Sequence, residues 1–172
     1  MGLVSSLLVA IAFAYEDLVL AFLLLLVTSF FDIIDGAVAK VANKVTKFGG
    51  FMDSTLDRYS DSAILIGLAL FLDEYYGLIF IVLVGSLLVS YTRAKAEEFV
   101  PKCDVGIAER AERLIILMLA TLLGALKLVY PKDAIYVALI ILAILTHFTV
   151  LQRIYYTQRQ LSRYRFSQQK MP

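Results

Sequence analysis

Six apolar runs alternate with short polar stretches along the chain: Leu3–Tyr15, Leu18–Ile34, Ala63–Leu72, Leu78–Ser90, Leu114–Leu126 and Ala134–Leu151. A helix needs about 20 apolar residues to cross a bilayer core, so the shorter runs must extend into their polar flanks. The third helix is expected to begin near Gly49, which puts Asp53, Asp57 and Asp61 on one face at i, i+4 and i+8. The pattern predicts an all-α integral membrane protein with six transmembrane helices.

Composition agrees with the pattern. The chain has 172 residues, 60% of them hydrophobic, and a mean hydropathy of +0.81, far above the soluble norm. Tandem repeats, low-complexity tracts and a second soluble segment are absent, so residues 1–172 read as a single membrane domain. The first run has no basic segment before it and leads almost directly into the second, unlike a cleavable signal peptide. Its shortness is read as a short or truncated N-terminal segment. With 16 basic and 15 acidic residues, the chain has no general attraction to nucleic acid. Its one cysteine, Cys103, forms no intrachain disulfide and builds no metal cluster by itself.

The basic residues set the orientation. With six spans, the loops Glu16–Asp17, Asp73–Gly77 and Lys127–Asp133 share one side, which holds only Lys127 and Lys132. The other 14 of the 16 lysines and arginines lie opposite, which makes that side cytoplasmic. Both termini and the acidic stretch Asp32–Asp57 then face the cytoplasm, in a multi-pass protein of the cell membrane with a cytoplasm-facing cavity. The basic, aromatic-rich tail from Gln152 is expected to lie against lipid headgroups.

Candidate chemistry lies in Asp32–Asp57. Ionisable residues in apolar surroundings are costly and point to function. Asp32 and Asp35 are three apart, and Asp53 and Asp57 four apart, so each pair shares a helical face. The short link between them makes the two helices antiparallel neighbours whose carboxylates converge at one depth. Converging carboxylates repel one another unless a cation joins them, and hard cations such as Mg²⁺ take oxygen ligands. Small residues at Gly36, Ala39 and Gly49 leave space beside the helices, and Lys40, Lys44, Thr46 and Lys47 supply donors for phosphate. This combination favours phosphate transfer over ion conduction. A carrier that moves a divalent cation is the competing class, but it would place ionisable groups near mid-membrane on several spans.

The pattern Asp32-x2-Asp35-Gly36-x2-Ala39-Lys40-x8-Gly49-x3-Asp53-x3-Asp57 closely resembles the signature of the CDP-alcohol phosphotransferases, membrane enzymes that make phospholipids from CDP-linked alcohols. Every spacing agrees; Lys40 stands where the family usually has arginine. The resemblance implies six helices with the motif on the second and third. It implies that Asp32, Asp35, Asp53 and Asp57 hold divalent metal, Mg²⁺ with Mn²⁺ as the alternative. It further implies that Asp32, Asp35, Gly36, Ala39, Lys40, Thr46, Gly49 and Asp53 form the CDP site, and that Asp57 is the general base on the acceptor hydroxyl. Asp61, one turn further along the face, is given a supporting role.

A second basic patch comes from Arg93, Arg110, Arg113 and Arg153, at helix ends on the side of the aspartates. Guanidinium groups suit planar, bidentate phosphate recognition, so the acceptor is expected to carry a phosphate of its own. Within the family, this patch is similar to that of the inositol-phosphate-using branch, which includes enzymes making archaetidylinositol phosphate. The expected partners are a CDP-linked lipid donor, a polyol phosphate acceptor such as inositol 1-phosphate, and membrane lipids. A glycerol 3-phosphate acceptor or a soluble CDP-polyol donor would use the same chemistry. The competing reading of these arginines is topological charge, with Glu97, Glu109 and Glu112 as ion-pair partners. His147 is read as a helix-packing hydrogen-bonder. Gly67, Gly85, Ser86 and Ser90 mark close helix packing and a candidate seam for the expected homodimer.

Overall fold

The structure, a computed structural model, describes residues 2–41 and 46–168, with no side chain described for residue 33, residues 35–41 or residues 163–168. Among these residues the protein is six helices: α1 (Gly2–Ala14), α2 (Leu18–Val41), α3 (Lys47–Leu72), α4 (Tyr76–Ala96), α5 (Arg110–Ala125) and α6 (Pro131–Gln168). Each carries one of the six apolar runs, the first and fifth of which end one residue past their helices. The chain turns sharply at Glu16, Asp73 and Lys127, three non-glycine residues with positive φ of 58°, 40° and 55°. At the first two, short polar chains exit into left-handed turns just past a helix; Asp73 donates its N–H to Ala69 O at 3.2 Å and closes α3. Pro131 opens α6 at a position where its missing N–H costs nothing.

α1 packs on both α2 and α3, which make no direct helix–helix contact among the described residues and so are not the neighbours that their short link predicts; α2 also packs on α5, α3 on α4, and α6 on α4 and α5. The core at their centre includes Val9 and Phe13 from α1, Leu25 from α2, Leu68 from α3 and Leu139 from α6, all fully buried. A polar tie reinforces α1–α2: the buried Thr28 hydroxyl lies 2.9 Å from Ser5 Oγ and 2.8 Å from Leu24 O. The exterior is apolar too, with Val19, Leu23, Ile66, Phe80 and Ile144 outward. An outer surface of this kind suits lipid rather than water.

Among the described residues, two helices, α4 and the Pro131–Ser162 part of α6, are long and apolar enough to cross a membrane by length and composition. The 13 residues of α1 and the 16 of α5 rise only about 20 and 24 Å, short of a hydrocarbon core of about 30 Å. The first half of α3 is polar and reaches well before its apolar run, as the spacing of Asp53, Asp57 and Asp61 requires.

Two expectations need correction. Not all of the segment from Gln152 is free to face lipid headgroups: α6 continues unbroken to Gln168, and Arg153 is 2% exposed within the bundle. The small residues are spent on packing inside the chain rather than on a seam between copies. Gly67 faces the backbone of Ala10 in α1, Gly85 faces Thr146 and His147 in α6, and Ser86 is buried. A methyl group at Gly67 would sit 2.7 Å from Ala10 O and 2.9 Å from Ala10 C, against rigid backbone. Gly67→Ala is therefore expected to cost about 1–3 kcal/mol by overpacking, read as a lowered Tm in detergent. A Tm equal to that of the wild type would show that α1 is free to move away from α3.

Candidate active site

Ser54, Asp57, Arg58 and Asp61 follow the i, i+3, i+4, i+7 spacing of one helical face on the polar half of α3. The end of α4 brings Ser90, Arg93 and Glu97 to the same place, the start of α5 brings Glu109, Arg110 and Arg113, and α6 brings Arg153. Together these residues line a cavity of about 380 Å³, with Asp61 just behind it. Asp57 and all four arginines singled out in the sequence thus meet in one place.

The guanidinium groups are bound unequally. Arg110 forms an ion pair with Asp57 through Nη1, which also lies 3.2 Å from Asp32 Oδ2 on α2, and its Nε lies 3.3 Å from Asp61 Oδ1. Arg113 is 5% exposed; it donates to Asp61 Oδ2 at 2.5 Å and to Ala108 O at 3.0 Å. Arg93 reaches Glu109 Oε1 at 3.1 Å, Glu97 Oε1 at 3.2 Å and Asp104 Oδ1 at 3.3 Å. Arg153 donates to Val105 O at 2.8 Å, to Glu109 Oε1 at 2.9 Å and to Val89 O. Arg58 lies 3.5 Å from Asp57. Its Nε and Arg110 Nη2 are buried with no hydrogen-bond acceptor among the described residues. Buried donors of this kind favour an anionic ligand in the cavity.

The segment between α4 and α5 is held against α6 by contacts remote in sequence. Thr149 Oγ1 accepts the N–H groups of Ile107 at 3.2 Å and Ala108 at 3.1 Å. Gly106, at φ +136°, passes so close to α6 that a methyl group would lie 2.6 Å from Thr149 Cγ2. Arg153 completes the clamp by joining α4 to this segment. Arg113 and Arg153 are thus largely engaged by partners within the chain, and that pairing sustains their burial.

Of the four aspartates expected to bind metal, Asp57 lines the cavity, Asp32 is joined to it by Arg110, and Asp53 is exposed one turn before Asp57. Asp32 Oδ2 and Asp57 Oδ1 converge on one cationic nitrogen, so two helices present hard oxygen donors to a common positive charge. That donor set fits a divalent cation. No group of three acidic, histidine or cysteine side chains among the described residues is close enough to hold a metal unaided. The side chains of Asp35, Gly36, Ala39 and Lys40, on the last turns of α2, lie outside the described residues, as does Lys44. Thr46 acts locally, its hydroxyl capping α3 by accepting Gly49 N–H at 3.0 Å, and Gly49 leaves room for that contact.

Ser54, Arg58 and Glu109 join the site although the sequence alone does not single them out for it. The first two fall on the same α3 face as Asp57 and Asp61, a periodicity that could have found them; in the sequence Arg58 reads only as topological charge. Glu109 reads there only as a candidate ion-pair partner. No local signal announces the role of Thr149, whose partners are 41 and 42 residues away.

Known proteins share this architecture. Residues 1–157 match the family described as CDP-alcohol phosphatidyltransferase. The chain is 40% identical over 161 residues to the archaetidylinositol phosphate synthase of Pyrococcus horikoshii, covering 93% of this chain and 81% of that one. It is 44% identical over 151 residues to the archaetidylinositol phosphate synthase of Methanothermobacter thermautotrophicus, covering 87% and 75%. The phosphatidylinositol phosphate synthase of Mycobacterium tuberculosis has a similar structure at 30% identity. Its crystal structure with CDP-DAG bound superposes with a TM-score of 0.79 over 91% of this chain and 82% of that one. Its complex with manganese and citrate gives 0.80 over 91% and 78%.

Proposed function

This chain belongs to the CDP-alcohol phosphatidyltransferase family, and on that premise we propose that it transfers the phospholipid moiety of a CDP-linked lipid to inositol 1-phosphate, releasing CMP. The observation that carries the reading is the cavity where Asp57 meets Arg58, Arg93, Arg110 and Arg153: a base beside a cluster of guanidinium groups. The names of the relatives in Pyrococcus and Methanothermobacter support the same acceptor.

In this reading Asp57 takes the proton of the acceptor hydroxyl, and the oxygen attacks the β-phosphorus of the CDP-lipid. The new O–P bond forms as the bond to the bridging oxygen breaks, and CMP leaves with the electron pair. Arg93 and Arg153 hold the acceptor's own phosphate, while Arg58 and Arg110 offer their unpaired donors to the pyrophosphate. A divalent cation held by Asp32, Asp35, Asp53 and Asp57 would supply Lewis-acid stabilisation of the phosphoryl charge; Mg²⁺ is the proposed ion, and the manganese complex of the Mycobacterium relative supports a divalent one. Gly36, Ala39, Lys40, Thr46 and Gly49 border the proposed CDP site, Thr46 through the cap that orients the start of α3.

The apolar exterior and the gathering of basic residues at one end support a single six-span membrane domain over residues 1–172, with both termini and the cavity facing the cytoplasm. A homodimer is part of the proposal, on a surface other than the small-residue contacts used inside the chain. A cation carrier is disfavoured: Asp61, Arg113 and Arg153, the buried ionisable residues among those described, are all tied into ion pairs beside the cavity.

The acceptor is tested by CMP release from purified protein in detergent–lipid micelles with a CDP-lipid, Mg²⁺ and either inositol 1-phosphate or glycerol 3-phosphate. Release with the first and background rates with the second are expected. The reverse preference would overturn the acceptor assignment.

A further inference from the structure

Two of the cavity's arginines share one acidic partner. Glu109 Oε1 lies 3.1 Å from Arg93 Nη1 and 2.9 Å from Arg153 Nη2, where the two guanidinium groups converge at the cavity wall. Glu109 stands at the N-cap of α5, yet its side chain makes no capping hydrogen bond; it turns to the arginines instead. Neither arginine depends on it for position. Arg93 keeps Glu97 and Asp104, and Arg153 keeps the carbonyls of Val89 and Val105. The Glu109 side chain is 42% exposed, whereas Asp61, which holds Arg113, is 8% exposed. Glu109 can therefore leave its place at little cost, while Asp61 cannot.

We propose that Glu109 is a specificity-determining residue: its carboxylate occupies the position of the acceptor's phosphate between Arg93 and Arg153, and the incoming phosphate must displace it. The proposal rests on the acceptor pocket assigned above and adds a residue that works against binding. A carboxylate carries one negative charge and two oxygens; a phosphate monoester carries up to two charges and three oxygens. The dianion can outbid Glu109 for two guanidinium groups, but a singly charged anion competes on equal terms with a tethered rival and loses. Glu109 thus reserves the pocket for dianionic acceptors.

The test uses Glu109→Gln and Glu109→Ala in the full-length protein, with inorganic phosphate and acetate as probes. Thermal stabilisation by phosphate should reach its midpoint at about ten-fold lower concentration in both variants, the loss of one charge-assisted rival. Acetate should stabilise Glu109→Ala and leave the wild type unaffected. In kinetics, the acceptor KM should fall about ten-fold while the KM for CDP-lipid stays within about two-fold, a split that a merely structural role would not produce. An unchanged or raised phosphate midpoint in the variants would overturn the proposal, because it would make Glu109 a support for the arginines. Stabilisation of the wild type by acetate at the phosphate concentration would overturn it without recourse to any variant. Shifted phosphate midpoints with no turnover of inositol 1-phosphate would refute the acceptor reading and leave the role of Glu109 standing.

Discussion

Asp57→Asn should release CMP about a thousand-fold more slowly than the wild type while still binding CDP-lipid. The side chain lines the cavity proposed for the acceptor, and an amide cannot take the proton. The variant should keep its fold, because Arg110 retains Asp32 at 3.2 Å and Asp61 at 3.3 Å when its contact to Asp57 is weakened. Binding of CDP-lipid in the presence of metal should fall far less than turnover, since the other aspartates remain. The measurements are a CMP-release rate and a CDP-lipid titration on the same preparation. CMP release at the wild-type rate would remove Asp57 as the base; equal losses of binding and turnover would restrict it to holding metal or substrate.

Arg113→Ala should be the most damaging change to stability. Arg113 and Asp61 are a buried pair, 5% and 8% exposed, in contact at 2.5 Å, and Arg113 also holds Ala108 O in the segment before α5. Truncation leaves the Asp61 carboxylate buried with Arg110 as its remaining described partner. Breaking one side of such a pair costs roughly 3–5 kcal/mol. The double variant Asp61→Leu with Arg113→Met should recover most of that loss, because an apolar pair of similar volume has no charge to desolvate. Tm values in detergent for the single and double variants read this directly. A single variant within about 1 kcal/mol of the wild type would mean that water or another cation reaches Asp61.

The six helices were legible in the hydropathy pattern because apolar runs mark whatever must avoid water. Their polar ends were legible only where charge spacing marks them: the polar first half of α3 follows from Asp53, Asp57 and Asp61, whereas nothing comparable marks α6, which carries on through Arg153 and Arg159 to Gln168. Hydropathy reports burial in apolar surroundings, whereas a helix continues wherever its backbone bonds are made.

The site was legible to the extent that it is local. Asp53, Asp57 and Asp61 could be phased on one helix, and Arg93, Arg110, Arg113 and Arg153 could be assigned to one end of the bundle. Which guanidinium groups are already engaged depends on partners remote in sequence. Arg113 finds Asp61 52 residues away, and Arg153 finds Val105 and Val89 48 and 64 residues away. Spacing carries no trace of such pairings. The same limit left Glu109 one of three candidate ion-pair partners, with no sign that it alone joins Arg93 to Arg153.

The joining of a CDP-lipid to a phosphorylated polyol by Asp57 and the arginine cavity can be measured by incubating the purified protein with a CDP-lipid, isotope-labelled inositol 1-phosphate and Mg²⁺, then following CMP and labelled lipid together. The two should appear in equal amounts, only with divalent metal, and the lipid should retain the inositol's own phosphate. CMP released without labelled lipid, or labelled lipid formed undiminished after chelation of metal, would contradict it.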